Sequence, residues 1–415
     1  MLLPKNGLHS HYFALVAIWL TVATAQAEPA SKQPDTTAQS DKTVEQVAAE
    51  KPNSPAPDLT QPIWPTTPAE AWPIFRGNSL GTGVSGDLLP PQLELLWKMS
   101  VPKGAFECTP ALVNGILYAA DLDGTVYALK VVDGSEVWRR DFGEDGFSGA
   151  VAVRDGLVYV GNQAGLLLAL DAATAKTVWE YQARGQLYGA NFAGDRVLCG
   201  SQDGVLHCLN AKTGEKLWTF QIPDQIRCSA TISQGHAFLV GCDGQLHVID
   251  IQEGKSVRDI PINAPAGSTA AAAGDLIYFG TSAGEFLCIN WRTGDTIWNF
   301  QDKARQQQIS GSAALTDKTV FVPGEDKTLR AFRANDGKDL WKYTFRGKLD
   351  ASPVVAGERV FIGAHDGRIV GVNIASGKKE WEYEAGGRFS SSPIVAGGRL
   401  FICSEDGVIY CFGKK

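Results

Sequence analysis

Short apolar runs separated by turn residues recur along most of this chain. The clearest copy is Asp350–Trp381, DASPVVAGERVFIGAHDGRIVGVNIASGKKEW. Small and apolar residues open it (Ala351–Val355), and a Gly357-Glu358 turn follows. Next come Arg359–Gly363, an Asp366-Gly367 turn, Arg368–Val372, a turn at Ser376-Gly377 and a last run ending at Trp381. Alternating β-branched residues bounded by glycine-containing turns predict four short antiparallel strands. Such a meander cannot bury both of its faces alone, so it needs neighbours.

The neighbours are present. The closing tryptophan recurs as Trp97, Trp138, Trp179, Trp218, Trp298, Trp341 and Trp381, with one member replaced by Arg258 in register (GKSVR for GKKEW). The spacing is about 40 residues. The second turn recurs as Asp123-Gly124, Ala164-Gly165, Asp203-Gly204, Asp243-Gly244, Ala283-Gly284, Asp326-Lys327, Asp366-Gly367 and Asp406-Gly407. Eight such units predict an all-β chain, an eight-bladed β-propeller of four-stranded antiparallel blades. The last unit, Phe389–Phe412, holds three strands, while Leu93–Met99 supplies a tryptophan strand without a unit. Joining the two closes the ring and removes two open sheet edges. Each tryptophan is expected to pack between adjacent blades, with Arg258 marking the weakest junction.

The propeller is placed at 93–415. Before it, residues 1–27 read as a signal peptide: a weakly basic start with Lys5, an apolar run Phe13–Ala25 too short to span a bilayer, and Ala25-Gln26-Ala27 as a cleavage site. No cysteine follows that run, so lipid attachment there is not supported. Residues 28–61 are rich in Pro, Ala, Ser, Thr, Lys and Asp without apolar period, and read as a disordered linker. Residues 62–92, which contain Trp72–Gly83 (WPIFRGNSLGTG), read as a segment docked on the propeller. The expected location is exported, periplasmic or extracellular, with no membrane span once the signal is removed and a monomeric state. A net charge of −7 argues against nucleic acid as a partner.

All eight cysteines fall in the repeats. Cys208, Cys288 and Cys411 take the place of Ala128 and Ala169, and Cys108 and Cys228 that of serines, so they read as small packing residues. One pair is eligible for a bridge: with a two-residue turn at Asp203-Gly204, Cys199 and Cys208 would face each other.

Candidate chemistry is sparse. The acidic turn set Asp123, Asp203, Asp243, Asp366 and Asp406 admits a metal reading, but Asp-Gly is also the preferred hairpin pair because both tolerate positive φ. His207 and His247 share one slot in successive blades, where an exposed strand residue is expected, and no histidine shows metal-ligand spacing. The start of each first strand should line the central axis, giving Glu107, Phe147, Leu187, Arg227, Gly267, Ser310, Asp350 and Ser390. Its charged members, Glu107, Arg227 and Asp350, are the candidates for a ligand or partner. The plainer alternative is a solvated channel whose charges satisfy one another.

The pattern A-L-D-A-x-T-G-x-x-x-W, seen in Leu209–Trp218 and in Leu170–Thr174, resembles the pyrroloquinoline-quinone (PQQ)-like β-propeller repeat family over roughly Trp72 to Lys415. Within it the chain resembles the eight-bladed, exported, cofactor-free outer-membrane-protein assembly factors of the BamB type. It departs from them in lacking a lipid-attachment cysteine and in adding Trp72–Gly83. The resemblance also implies an alternative, since quinoprotein alcohol dehydrogenases share the repeat. Those enzymes place a quinone, a calcium ion and a vicinal disulfide together, and no Cys-Cys or C-x-x-C-H occurs here. The favoured reading is a non-enzymatic scaffold that binds a protein or peptide, in outer-membrane protein assembly, with no cofactor, no metal and no catalytic residue. A PQQ-dependent oxidoreductase or small-ligand binder at the axis is the alternative.

Overall fold

The computed structural model describes residue 67 and residues 69–101, 104–303 and 306–415. The expected signal peptide and linker lie outside the described residues. Eight antiparallel sheets follow one another around an axis. Blade 1 runs outward through Ala111–Val113, Ile116–Ala120, Thr125–Lys130 and Glu136–Asp141. Blades 2 to 7 repeat this over 152–182, 191–221, 231–261, 271–301, 314–344 and 354–384. Blade 8 has Ile394–Ala396, Arg399–Cys403 and Val408–Gly413, completed by Glu94–Ser100 from the other end of the ring. The expected eight-bladed ring and its closure are therefore what the chain forms.

The burial of each strand follows from its place in the blade. The two middle strands pack against neighbouring blades on both faces, so sequences such as IVGV or FLCI are continuously apolar and buried. The outermost strand is covered on one face and alternates, as in Glu136–Asp141.

The junctions explain the repeat pattern. Each closing indole donates its Nε1–H to a carbonyl of the next blade: Trp97 to Val131, Trp138 to Ala172, Trp179 to Ala211, Trp218 to Ile251, Trp298 to Ala334, Trp341 to Ile374 and Trp381 to Leu93, at 2.8–3.0 Å. The glycine in the following blade's last turn lies flat on that indole. Gly134, Gly214, Gly254, Gly337 and Gly377 have φ between +67° and +73°. A Cβ on any of them would come within 2.4–2.7 Å of the ring. Both the conformation and the space demand glycine there.

At the irregular junction between blades 4 and 5, Arg258 Nη1 donates to Thr293 O at 3.0 Å. The indole comes from the other side. In the regular blades other than blade 3 the tryptophan packs at a tilt against the middle aromatic of its own second strand, as Trp138 does on Tyr118 and Trp341 on Phe321. In blade 4 that aromatic, Phe238, instead meets Trp291 of blade 5 at 5.4 Å. We therefore expect Arg258→Trp alone to destabilise by about 1–3 kcal/mol through overpacking. The double variant Arg258→Trp/Trp291→Leu should recover at least half of the loss, as a double-mutant cycle by urea denaturation can measure.

All eight thiols are free. Cys199 pairs with His207 and Cys208 with Leu198, because the loop spans three residues, Gln202–Gly204, with Gly204 at φ +82°. That one-residue slip puts the two cysteines on opposite faces and removes the bridge the two-residue turn allowed. Burial pushes the thiols of Cys108, Cys199, Cys208, Cys228, Cys288 and Cys411 up to about 12. Only half-buried Cys242 is expected to react with a thiol reagent in the folded protein, against eight after denaturation, a count that colorimetric titration gives directly.

Residues 72–85 do not form a blade. They run around the axis and bond the inner strands in turn. Trp72 exchanges two backbone bonds with Leu112 of blade 1, and Pro73 O accepts from Val153 N of blade 2. Ser79 O accepts from Asn191 Nδ2 of blade 3 and Ile232 N of blade 4. Leu80, Thr82 and Gly83 carbonyls then accept from Ala272, Leu315 and Val355 of blades 5, 6 and 7. Val84–Ser85 adds a parallel strand to blade 7, and Ser85 Oγ donates to Val395 O of blade 8. The open inner edge of every sheet is thus contacted, which blunts eight exposed edges near the axis. Trp72 and Arg76 are fully buried within this plug.

Candidate functional site

The plug fills one half of the central channel and leaves the other as a cup. Its floor includes Phe75, and its walls are the residues that lead into the eight inner strands. The cavity holds about 180 Å³. Because each blade is a meander, the chain enters an inner strand at the same end as the turn between the second and third strands. A backbone bond ties the two together, as from His365 N to Lys348 O and from Glu405 N to Arg388 O. Those turns therefore ring the mouth of the cup.

Halfway up the wall lies a belt of hydroxyls two residues before each inner strand: Thr109, Ser229, Thr269, Ser312, Ser352 and Ser392. The N–H of one blade donates to the hydroxyl of the next, from Ser229 to Thr269, Ser312 to Ser352, Ser352 to Ser392 and Ser392 to Thr109, at 2.9–3.3 Å. The belt breaks at Ala150 and Gly189, and a Cβ on Gly189 would approach Ser229 Oγ to 2.7 Å. These bonds lock adjacent blades together near the axis.

Two residues above the belt is the expected axis set, with a correction. Glu107, Arg227 and Asp350 line the cup, as do Gly267, Ser310 and Ser390. Phe147 and Leu187 do not; they are core residues, and the cup positions are Ser148 and Tyr188. Phe147 and Leu187 instead match Phe106, the apolar anchor that precedes the cup residue in blade 1. Glu107 and Asp350 flank Ser390 of blade 8, and Arg227 stands on blade 4, three blades from each. Arg227 Nε donates to Gln225 Oε1 at 2.8 Å.

The mouth adds charges the repeat pattern did not single out. His365 Nε2 lies 2.8 Å from Asp350 Oδ2 and 3.9 Å from Glu405 Oε1. Lys348 Nζ pairs with Glu325 at 3.1 Å. The signal was in the sequence: the residue before each Asp in these turns is Glu325, His365 and Glu405 in blades 6 to 8, but a cysteine or neutral polar residue in blades 2 to 5. Blades 6, 7, 8 and 1 make one acidic sector. Partial loss of solvent, followed by repulsion from Glu405, pushes Glu107 upward. Loss of solvent also raises Asp350, against the opposing pull of His365.

This shift fixes a sign. Glu107 holds its proton more tightly folded than unfolded, so the stability linked to it is full below the ordinary carboxylate range and is lost as pH rises through the folded value. Glu107→Gln should therefore stabilise slightly at pH 7, by under about 1 kcal/mol for so exposed a group, and not at pH 3. Melts across that range check it.

The remaining candidates are structural. Asp203, Asp243 and Asp366 accept the backbone N–H two residues on, building their own turns. No group of His, Cys, Asp and Glu able to hold a metal ion occurs among the described residues. His207 and His247 are buried, not exposed as expected, because third strands are covered on both faces. His207 Nδ1 meets Tyr181 Oη at 3.1 Å, and His247 sits between Asp259 at 2.7 Å and Asp243 at 3.0 Å. The cup is smaller than the roughly 300–1,000 Å³ of ordinary small-molecule sites. Its two carboxylates, Glu107 and Asp350, stand two blades apart with Ser390 between them.

Eight four-stranded blades, seven of them docked through a closing tryptophan, define a PQQ-like propeller. The profile of the family described as outer membrane protein assembly factor BamB matches residues 90–187, 122–322 and 325–415. The chain belongs to that family. It is 27% identical over 270 residues to the outer membrane protein assembly factor BamB of Burkholderia pseudomallei, covering 60% of this chain and 69% of that one. The crystal structure of BamB from Moraxella catarrhalis superposes with a TM-score of 0.68 at 21% identity, over 78% of this chain and 98% of the other. A quinohemoprotein alcohol dehydrogenase from Comamonas testosteroni gives 0.70 at 18% identity, over 83% and 81%. At these identities the two structures speak to the fold alone.

Proposed function

We propose that this chain is an exported scaffold that binds protein partners during outer-membrane protein assembly and works without a redox cofactor. The observation that carries the reading is the family match, which runs from the closing strand through the last blade. The geometry supports it in two ways. The axis is plugged on one side and reduced to a narrow cup on the other. The rigid ring meanwhile displays eight sets of varied turns, which is what a binding platform needs. The fold shared with alcohol dehydrogenases supplies the competing reading, but fold likeness does not carry chemistry.

In the native host, deleting the gene should lower the level of β-barrel proteins in the outer membrane. Envelope cross-linking to the tagged chain should capture components of the machinery that inserts them. Unchanged barrel levels without such cross-links would overturn the proposal. So would dye-linked alcohol or sugar oxidation by the purified protein supplied with PQQ and Ca²⁺, if Glu107→Ala or Asp350→Ala abolished it.

A further inference from the structure

The channel cup is built unevenly. Four consecutive ring positions carry acceptor side chains: Ser310, Asp350, Ser390 and Glu107, from blades 6, 7, 8 and 1. Three polar atoms of this row, Ser310 Oγ, Asp350 Oδ1 and Ser390 Oγ, are shielded from solvent and have no hydrogen-bond partner. Buried polar atoms are normally satisfied, and an unmet one costs about 1–3 kcal/mol. Three unmet atoms side by side on one wall of a cavity mark a place for donors from outside the chain, water or a ligand. Across the cup stand Arg227 and Tyr188, so the two walls differ in charge.

We propose that the acidic wall of the cup receives a cationic N–H-bearing tip, the guanidinium or ammonium of an arginine or lysine on a partner protein, inserted through the mouth. The inference rests on the scaffold reading above and names the chemistry of the partner. A guanidinium offers five donors in a planar fork, and an ammonium three. Either can pair with Glu107 and Asp350 with charge assistance, and rotation of Ser310, Asp350 and Ser390 about χ1 would turn their unmet oxygens, closed to solvent in the empty cup, toward it. The volume suits a side-chain tip. About 180 Å³ is room for roughly six waters at about 30 Å³ each. Arg227 on the far wall repels a cation there and confines it to the acidic sector. The charged groups lining the cup are Glu107, Asp350 and Arg227, and Glu325, Lys348, His365, Arg388 and Glu405 ring its mouth. Loss of solvent raises the ranges in which Glu107 and Asp350 ionise, so binding should strengthen as pH rises through those ranges and both carboxylates charge.

The test uses the full chain and small probes. Ethylguanidinium and n-butylammonium are titrated by calorimetry at low salt, with acetamide as the neutral control and Ca²⁺ as the competing cation. Expected is saturable binding of the organic cations with Kd on the order of 1 mM, weakened by added salt. Glu107→Gln and Asp350→Asn should each weaken it at least about fivefold, the loss of one charge-assisted bond. Arg227→Ala should leave it equal or tighter. Should Asp350→Asn fail to fold, Glu107→Gln and Ser390→Ala carry the same reading. Absence of saturable binding, binding untouched by these variants, or occupancy by Ca²⁺ that the organic cations cannot displace would each overturn the proposal. Envelope cross-linking with Glu107→Gln separates the two ideas: partners still captured by a chain whose cup binds no cation leave the scaffold standing and remove this site.

Discussion

A chain lacking Glu94–Ser100 should fail to give a soluble, cooperatively folded monomer. The reason lies in blade 8. Its outer strand is supplied by these seven residues, which pair with Val408–Gly413 from Glu94↔Gly413 to Ser100↔Val408. Without them Val408–Gly413 becomes an open edge rich in apolar residues, and such edges recruit other chains. The deletion also removes Trp97, which packs on Phe401 at 6.0 Å and donates to Val131 O at 2.9 Å, tying blade 8 to blade 1. Losing a fully buried tryptophan costs about 3–5 kcal/mol, and half-buried Trp97 accounts for the lower part of that range. Domains have about 5–15 kcal/mol in total, so removing the strand, its ladder and its indole together consumes most of it. Gel filtration and thermal melting decide the matter. A monomer melting within a few degrees of the intact chain would contradict the closure, and Trp97→Ala should fall between the two.

The second large effect is expected inside the plug. Gly83 sits at φ +65°, donates its N–H to Arg76 O and accepts from Val355 N of blade 7. A Cβ at this position would come within 1.7 Å of Arg76 Nη2. Arg76 cannot step aside into water: it is fully buried, and its Nη2 donates to Ala313 O of blade 6 at 2.9 Å. Gly83→Val therefore combines a left-handed backbone that a β-branched residue resists with a collision in a closed space. About 3 kcal/mol or more of destabilisation follows from the two together. Gly83→Val/Arg76→Ala removes the collision but keeps the backbone strain, so it should recover only part of the loss. Urea denaturation of both variants measures the split, and a single variant with unchanged midpoint would refute the packing described.

These two regions mark what the sequence can and cannot disclose. The blades were legible because each carries the same local signals, and the orphan strand at Trp97 announced the closure by its own incompleteness. The plug's path was not. Its contacts reach from Trp72 to Leu112 and from Ser85 to Val395, and no local period encodes a strand that visits eight sheets in turn. The cup was half legible. Glu107, Arg227 and Asp350 stood out as charges at repeat positions, yet in blades 2 and 3 the apolar anchor itself was read as the cup position, one residue early, so Phe147 and Leu187 stood in for Ser148 and Tyr188. His365, Glu325 and Glu405 escaped because they precede turn aspartates, Asp366, Asp326 and Asp406, whose turn role is sufficient explanation. The register at Cys199 depended on loop length, which an Asp-Gly pair does not fix by itself.

The way blade 8 is assembled has a bearing on how the chain comes into being. Glu94–Ser100 is made early and finds its partner only after residue 413 has been added. The plug has the same history, since its last inner strand is Ile394–Ala396. Every nascent length short of the finished one therefore carries an unmatched strand at its head and an unfilled axis. Contacts so far apart in the chain form slowly, because the loop they close is long. Full stability therefore waits for the one late contact that joins head to tail.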